Sequence, residues 1–123
     1  MLIVDDELLV RRSLQRVCAS RGHEIAEAED GQAGLDLWRS WDPDLVFLDV
    51  LMPKMTGLEV LQTLGPENTA RVILMSAYSG TLDDRQAQNA GADLFLSKPF
   101  PNIFSVVEQA EELWRGSGRR KEG

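Results

Sequence analysis

Short apolar runs alternate along the chain with segments in which apolar residues recur every three or four positions. The runs are rich in branched and aromatic side chains, and they predict strands at 2–4, 25–28, 45–48, 71–76 and 93–97. The periodic segments predict helices over 7–21, 30–41, 58–64, 81–90 and 103–114. Strands that alternate with helices are typical of a doubly wound parallel sheet, so we predict an α/β protein with five strands and five helices.

Polar side chains lie at the carboxyl ends of four of the predicted strands. Asp5 and Asp6 follow the first strand, Asp49 the third and Lys98 the fifth, whereas Ser76 ends the fourth. Right-handed crossovers bring the carboxyl ends of parallel strands to one edge of the sheet, which is where open α/β sheets bind ligands. We therefore expect these five side chains to form one site.

Three acids in one cleft need a cation to offset their repulsion. At about 4 Å and an effective dielectric constant of about 20, each pair costs roughly 4 kcal/mol. Lys98 supplies one positive charge, and a set of carboxylate oxygens is the kind of site that Mg²⁺ prefers. Such a metal neutralises charge on phosphoryl oxygens, and Asp49 could be the nucleophile that forms an aspartyl phosphate. The cluster thus predicts Mg²⁺-dependent phosphoryl transfer.

Composition and charge narrow the protein class. With 123 residues, 43% of them apolar, the chain is predicted to be one globular domain, and no apolar run approaches the ~20 residues of a membrane span. No basic or apolar leader precedes Leu2, so we expect a cytoplasmic protein. A net charge of -7 argues against contact with a nucleic acid backbone. Cys18 lies at an apolar helical position, which favours a buried structural thiol.

Four motifs together resemble the receiver domain of two-component response regulators, the CheY-like family. They are Asp5-Asp6, the Leu-Asp-Val-Leu-Met-Pro-Lys-Met-Thr-Gly segment around Asp49, Ser76-Ala77 and Lys98-Pro99-Phe100. The resemblance covers about residues 1–115 and leaves 116–123 as a flexible polar tail or the start of a linker. It implies a flavodoxin-like sheet with strand order 2-1-3-4-5.

The resemblance also implies a role for each acid. Asp49 would accept a phosphoryl group from a sensor histidine kinase or a histidine phosphotransfer protein. Asp6 and Asp49 would bind Mg²⁺ through their side chains, Leu51 through its backbone carbonyl, and Asp5 through a bound water molecule.

The remaining site residues would respond to the phosphoryl group. Lys98 would pair with its oxygens, and the Ser76 hydroxyl would hydrogen-bond one of them while the aromatic Phe95 turns inward. The Lys98-Pro99 bond is expected to be cis. The response would reach the face of the fourth helix, fifth strand and final helix, which controls an output domain or protein partner and is a candidate homodimer surface. The chain would then be a signalling switch and not a metabolic enzyme.

Several positions raise further hypotheses and alternatives. Leu51 and Tyr78 flank the path of a hydrolytic water, which suggests slow self-dephosphorylation.

A degenerate receiver that only binds proteins is one alternative function. A haloacid dehalogenase-type phosphohydrolase is another, although that family requires Asp-x-Asp and Leu51 fills the second place. The chain could be a free-standing receiver or one part of a longer regulator. His23 follows Gly22 and is predicted to be an exposed turn residue.

Overall fold

The computed structural model describes residues 1–77 and 84–117, which alternate between strands and helices. The elements are β1 (Leu2–Val4), α1 (Leu8–Ser20), β2 (Ala26–Ala28), α2 (Gly31–Trp41), β3 (Leu45–Asp49), α3 (Gly57–Leu64), a 3₁₀ turn (Gly65–Glu67), β4 (Arg71–Ser76), α4 (Asp84–Asn89), β5 (Leu94–Ser97) and α5 (Ile103–Ser117). All ten predicted strands and helices are therefore present. Across these two ranges, every helix is too short or too polar to traverse a bilayer.

The five strands form one parallel sheet in the order β2-β1-β3-β4-β5, which confirms the predicted fold class and strand order. Side chains alternate between its two faces, as strand geometry requires. Val46 and Leu48 of the central β3 pack in the layer of α2, α3 and α4, whereas Leu45 and Phe47 pack in the layer of α1 and α5. Every residue of β3 is buried, so its last residue is held in a fixed position at the sheet edge.

The loop after β3 folds back tightly onto the end of that strand. The Gly57 N–H donates to the Val50 carbonyl at 2.8 Å, and a Cβ atom on Gly57 would lie 2.3 Å from the Asp49 carbonyl oxygen. A side chain at this position would therefore displace the strand end. Thr56 and Glu59 form a capping box that begins α3, which was not predicted.

Some predicted details lie beyond the described residues. The proposed water barrier at Tyr78 and the first three residues of the helix predicted over 81–90 both fall within residues 78–83. Helix α5 continues through Gly116 and Ser117, the first two residues of the predicted tail, and 118–123 lie outside the described part of the chain. The division into a domain and a tail therefore stays a prediction.

A charged cluster joins the turn after α1 to α5, and it corrects the prediction for His23. Arg21 donates from Nε and Nη2 to the carboxylate of Glu111, with an Nη2–Oε1 distance of 2.6 Å, and His23 Nε2 lies 2.7 Å from Glu111 Oε2. His23 is partly buried and not exposed, because the left-handed turn at Gly22 directs it towards α5. Hydrogen bonds from Arg21 lower the pKa of Glu111 to about 2, so this carboxylate is ionised at neutral pH.

Candidate functional site

The carboxyl ends of β1, β3, β4 and β5 meet at one edge of the sheet. Asp5 follows β1, Asp49 ends β3, Ser76 ends β4 and Lys98 follows β5, and their exposed fractions are 0%, 3%, 2% and 9%. The Lys98 N–H donates to the Ser76 carbonyl at 2.9 Å, which ties these two residues together. Asp6 is exposed, at the side of the site that opens to solvent. The buried polar groups at this edge thus lie at the ends of four strands of the sheet or directly after them.

Asp5, Asp6 and Asp49 form a group of acids able to hold a metal ion. Each offers a carboxylate oxygen, and the three oxygens lie within 4.8 Å of one another. Asp5 Oδ1 also accepts the N–H of Glu7 at 2.8 Å, which fixes the orientation of that carboxylate. Two buried acids and one exposed acid form an oxygen-rich site that is open on one side, and this suits a hard cation that retains water ligands.

The Lys98 ammonium lies among these acids. Its Nζ atom is 2.9 Å from Asp5 Oδ2, 3.3 Å from Asp49 Oδ1 and 2.8 Å from Glu7 Oε1. Glu7 was predicted only as the first residue of a helix and not as part of the site. The pattern that could have indicated its role is the run of three acids, Asp5, Asp6 and Glu7, directly after β1.

Burial and charge shift the pKa values of these groups. Burial, followed by the negative charge of Asp5, raises the pKa of Asp49 to about 7. Burial also raises the pKa of Asp5, against the hydrogen bonds from Glu7 and Lys98. Burial alone would lower the pKa of Lys98, but hydrogen bonds to Glu7 and Asp5 and the charge of Asp49 outweigh it and raise that pKa. The ionised forms of Asp49 and Asp5 are therefore disfavoured, and a further cation beside them would favour their ionisation.

Arg11 supports the site from behind, which was not predicted. This side chain is buried on α1, and its Nη1 donates to the Asp5 backbone carbonyl at 2.8 Å. Its Nε lies 3.4 Å from Glu27 Oε1 on β2. The guanidinium thereby links the end of β1 to α1 and to the neighbouring strand, and it holds the backbone of Asp5 in place.

Other predicted site residues surround this cluster. The Leu51 side chain is exposed, and its carbonyl as a metal ligand stays a prediction. Phe95 is partly buried against the layer of α2, α3 and α4, and its switching role also stays a prediction. The Lys98-Pro99 bond is cis, as expected. Because Tyr78 is outside the described residues, slow self-dephosphorylation remains a hypothesis.

Comparisons with known proteins bear on this arrangement. Residues 1–108 match the family model described as "Response regulator receiver domain". The chain is 42% identical over 101 residues to response regulator MprA of Mycolicibacterium vanbaalenii, which covers 81% of this chain and 44% of that protein.

Two solved structures are similar to this chain over more than nine-tenths of its length. The receiver domain of Francisella response regulator 1452 has a TM-score of 0.85 and 26% identity, covering 94% of this chain and 95% of the other. CheY from Borrelia burgdorferi, in a complex with CheX, BeF3 and Mg, has a TM-score of 0.82 and 30% identity, covering 92% and 87%. The chain spans about half the length of the curated relatives it matches.

Proposed function

Because this chain belongs to the family of response regulator receiver domains, we propose that Asp49 accepts a phosphoryl group from the phosphohistidine of a sensor histidine kinase or a histidine phosphotransfer protein. One observation carries the proposal. The Lys98 ammonium lies 3.3 Å from Asp49 inside a cluster of buried carboxylates, next to the exposed Asp6. That arrangement supplies a nucleophile, a group that neutralises phosphoryl oxygens and an open metal site at one point.

In the proposed reaction, an Asp49 carboxylate oxygen attacks phosphorus, and the new O–P bond replaces the N–P bond of phosphohistidine. The electron pair of the broken bond returns to the imidazole. Lys98 pairs with a phosphoryl oxygen, and the Ser76 hydroxyl donates a hydrogen bond to another. Asp49 must be ionised to attack, and its pKa of about 7 leaves a large ionised fraction at neutral pH even before a metal binds.

Mg²⁺ fits the donor set of this edge. The side chains of Asp6 and Asp49 and the backbone carbonyl of Leu51 would hold it, with Asp5 acting through a bound water. When bound, it would supply positive charge to the phosphoryl oxygens and to the crowded acids. The same donor set weighs against the phosphohydrolase alternative, because Leu51 offers no second carboxylate after Asp49.

The proposed output is a change of conformation and not a metabolic reaction. A phosphoryl group adds negative charge and acceptor oxygens, which the state with Lys98 and the Ser76 hydroxyl turned to those oxygens satisfies best. Phe95 and the face of α4, β5 and α5 would respond. Several relatives are named transcriptional regulators, and each is about twice as long as this chain. We therefore place an output region or a separate partner, or a second copy of the chain, on that face.

An apolar groove beside the site suits the protein that carries the phosphohistidine. It shares Lys98 with the site, and it is lined by Leu9, Val10, Ser13, Lys98, Pro99, Phe100, Pro101 and Ile103. Leu9 is 82% exposed. The phosphoryl group of a donor is repelled by a chain of net charge -7, so apolar contact next to the site would offset that repulsion. The groove offers that contact.

The first test incubates the protein with acetyl phosphate and Mg²⁺. We expect the intact mass to rise by one phosphoryl group in the wild type and not in Asp49→Asn, because the amide cannot form the acyl phosphate. Chelation of Mg²⁺ should also prevent the gain. No gain in the folded wild type would favour the degenerate receiver.

A second test separates donor docking from chemistry. Leu9→Asp should slow phosphoryl transfer from a histidine kinase or phosphotransfer protein about tenfold, because a charge replaces apolar contact at the groove. Phosphorylation by acetyl phosphate should not change. Trp114→Asp, which alters a cavity lined by Pro43 and Leu45 at the opposite edge, is the control and should leave both rates unchanged. Equal slowing with both donors would contradict docking at the groove.

A further inference from the structure

Glu7 holds Lys98 from the solvent side of the site. Its Oε1 atom accepts a hydrogen bond from Lys98 Nζ at 2.8 Å, although the Glu7 side chain is 58% exposed. An ammonium group has three N–H donors. Here Asp5 and Glu7 accept two of them, and the ion pair with Asp49 at 3.3 Å is the third contact of the ammonium group. A phosphoryl oxygen on Asp49 can therefore pair with Lys98 only if one of these acceptors is displaced.

The three acceptors differ in the free energy that is lost when each gives up its contact with Lys98. Asp5 is fully buried and is fixed by the Glu7 N–H, so losing Lys98 would leave a buried charge without its cation. Asp49 itself carries the phosphoryl group. Glu7 is half-exposed, and water can replace Lys98 at its carboxylate. Glu7 is therefore the acceptor that can leave at least cost.

We propose that Glu7 is a positioning residue that holds Lys98 in the unphosphorylated state, and that phosphorylation exchanges Glu7 for a phosphoryl oxygen at Lys98 Nζ. This inference rests on the proposed function of Asp49. Because the Glu7 contact must break when the phosphoryl group arrives, Glu7 lowers the affinity of the domain for that group. Glu7 precedes α1 without capping it through its side chain, so its substitution removes no helix cap.

The experiment compares Glu7→Gln with Glu7→Asp. Glu7→Gln removes the charge, whereas Glu7→Asp keeps the charge but shortens the side chain by one methylene and withdraws it from Lys98. Isothermal titration calorimetry would measure binding of beryllofluoride, which imitates a phosphoryl group on a carboxylate, at saturating Mg²⁺. We expect both variants to bind about fivefold more tightly than the wild type, the upper range for an exposed ion pair. The ¹⁵N resonance of the Lys98 ammonium should shift in both variants before beryllofluoride is added.

Two results would overturn the inference. If Glu7→Asp binds like the wild type while Glu7→Gln binds more tightly, the effect is one of charge at a distance and not of the contact. If neither variant differs from the wild type, Glu7 does not compete for Lys98. Failure of the proposed function is a different result, because the wild type itself would then bind no beryllofluoride and gain no phosphoryl mass.

Discussion

Replacing Lys98 with methionine is expected to destabilise the domain by about 3 kcal/mol at pH 8. Methionine keeps much of the side-chain volume but leaves the buried Asp5 and Asp49 carboxylates without their shared cation. The same variant should be phosphorylated by acetyl phosphate at least about a hundredfold more slowly, because no group remains to neutralise the phosphoryl oxygens at that position.

The pH dependence of this loss follows from the carboxylates. The pKa of Lys98 is raised from 10.5, so Lys98 keeps its own charge at all pH values below about 10. Asp5 and Asp49 instead become protonated as the pH falls, and the loss should be smaller at pH 5 than at pH 8. Urea unfolding at both pH values would measure it.

Lys54→Met is the matched control for Lys98→Met. Lys54 is exposed, and its Nζ lies 3.6 Å from Asp30 Oδ2, so its loss should cost less than about 0.5 kcal/mol. Adding Asp49→Asn to Lys98→Met should recover part of the lost stability, since it removes one unpaired buried charge. A Lys98→Met variant as stable as the wild type at pH 8 would contradict the arrangement described here.

Asp49→Asn alone is expected to stabilise the protein in metal-free buffer. Burial and the charge of Asp5 raise the pKa of Asp49 from 3.8 to about 7. Ionisation of Asp49 is therefore less favourable in the folded protein than in the unfolded chain. The folded state therefore loses stability as the pH rises from about 4 to about 7, and the full penalty is present above that range. At pH 8 the asparagine variant should be about 2–4 kcal/mol more stable than the wild type.

Urea unfolding at pH 8 and pH 5 would test this second prediction. The gain should fall to less than half at pH 5, where Asp49 is already protonated in the folded protein. Mg²⁺ should stabilise the wild type more than the variant, because the variant lacks one carboxylate ligand. Asp36→Asn, an exposed carboxylate on α2, should change stability by less than about 0.5 kcal/mol at either pH. A gain that grows towards acid pH would contradict the assignment.

The positions of the main site residues could be predicted from the sequence because local patterns determine them. Apolar runs predicted β1 and β3. Asp5, which follows β1, and Asp49, which ends β3, therefore had to lie at the carboxyl edge of a parallel sheet. The crossover rule then placed Ser76 and Lys98 beside Asp49. Strand order came from the resemblance to receiver domains, since periodicity alone does not select the neighbours of a strand.

The residues that the sequence could not assign act through contacts between distant elements. Arg11 occupies a helical position where an arginine is ordinarily solvated, and only the packing of α1 on β1 buries it against the Asp5 carbonyl. Glu111 lies ninety residues from Arg21. Glu7 pairs with Lys98 across 91 residues. Pairings over such separations depend on tertiary geometry. A local pattern such as the three acids after β1 indicates at most that a residue belongs to the site, and not which side chain it pairs with.

The cluster of Arg21, His23 and Glu111 has a mechanical consequence for α5. Glu111 lies eight residues, or about 12 Å, from the start of that helix at Ile103. Any tilt of α5 that preserves the Glu111 contacts has this residue as its fulcrum. Displacement then increases with distance from Glu111, so the end near β5 sweeps through a wider arc than Trp114. A signal that begins beside Phe95 would reach the far end of α5 as a change of angle and not as a shift along the helix axis.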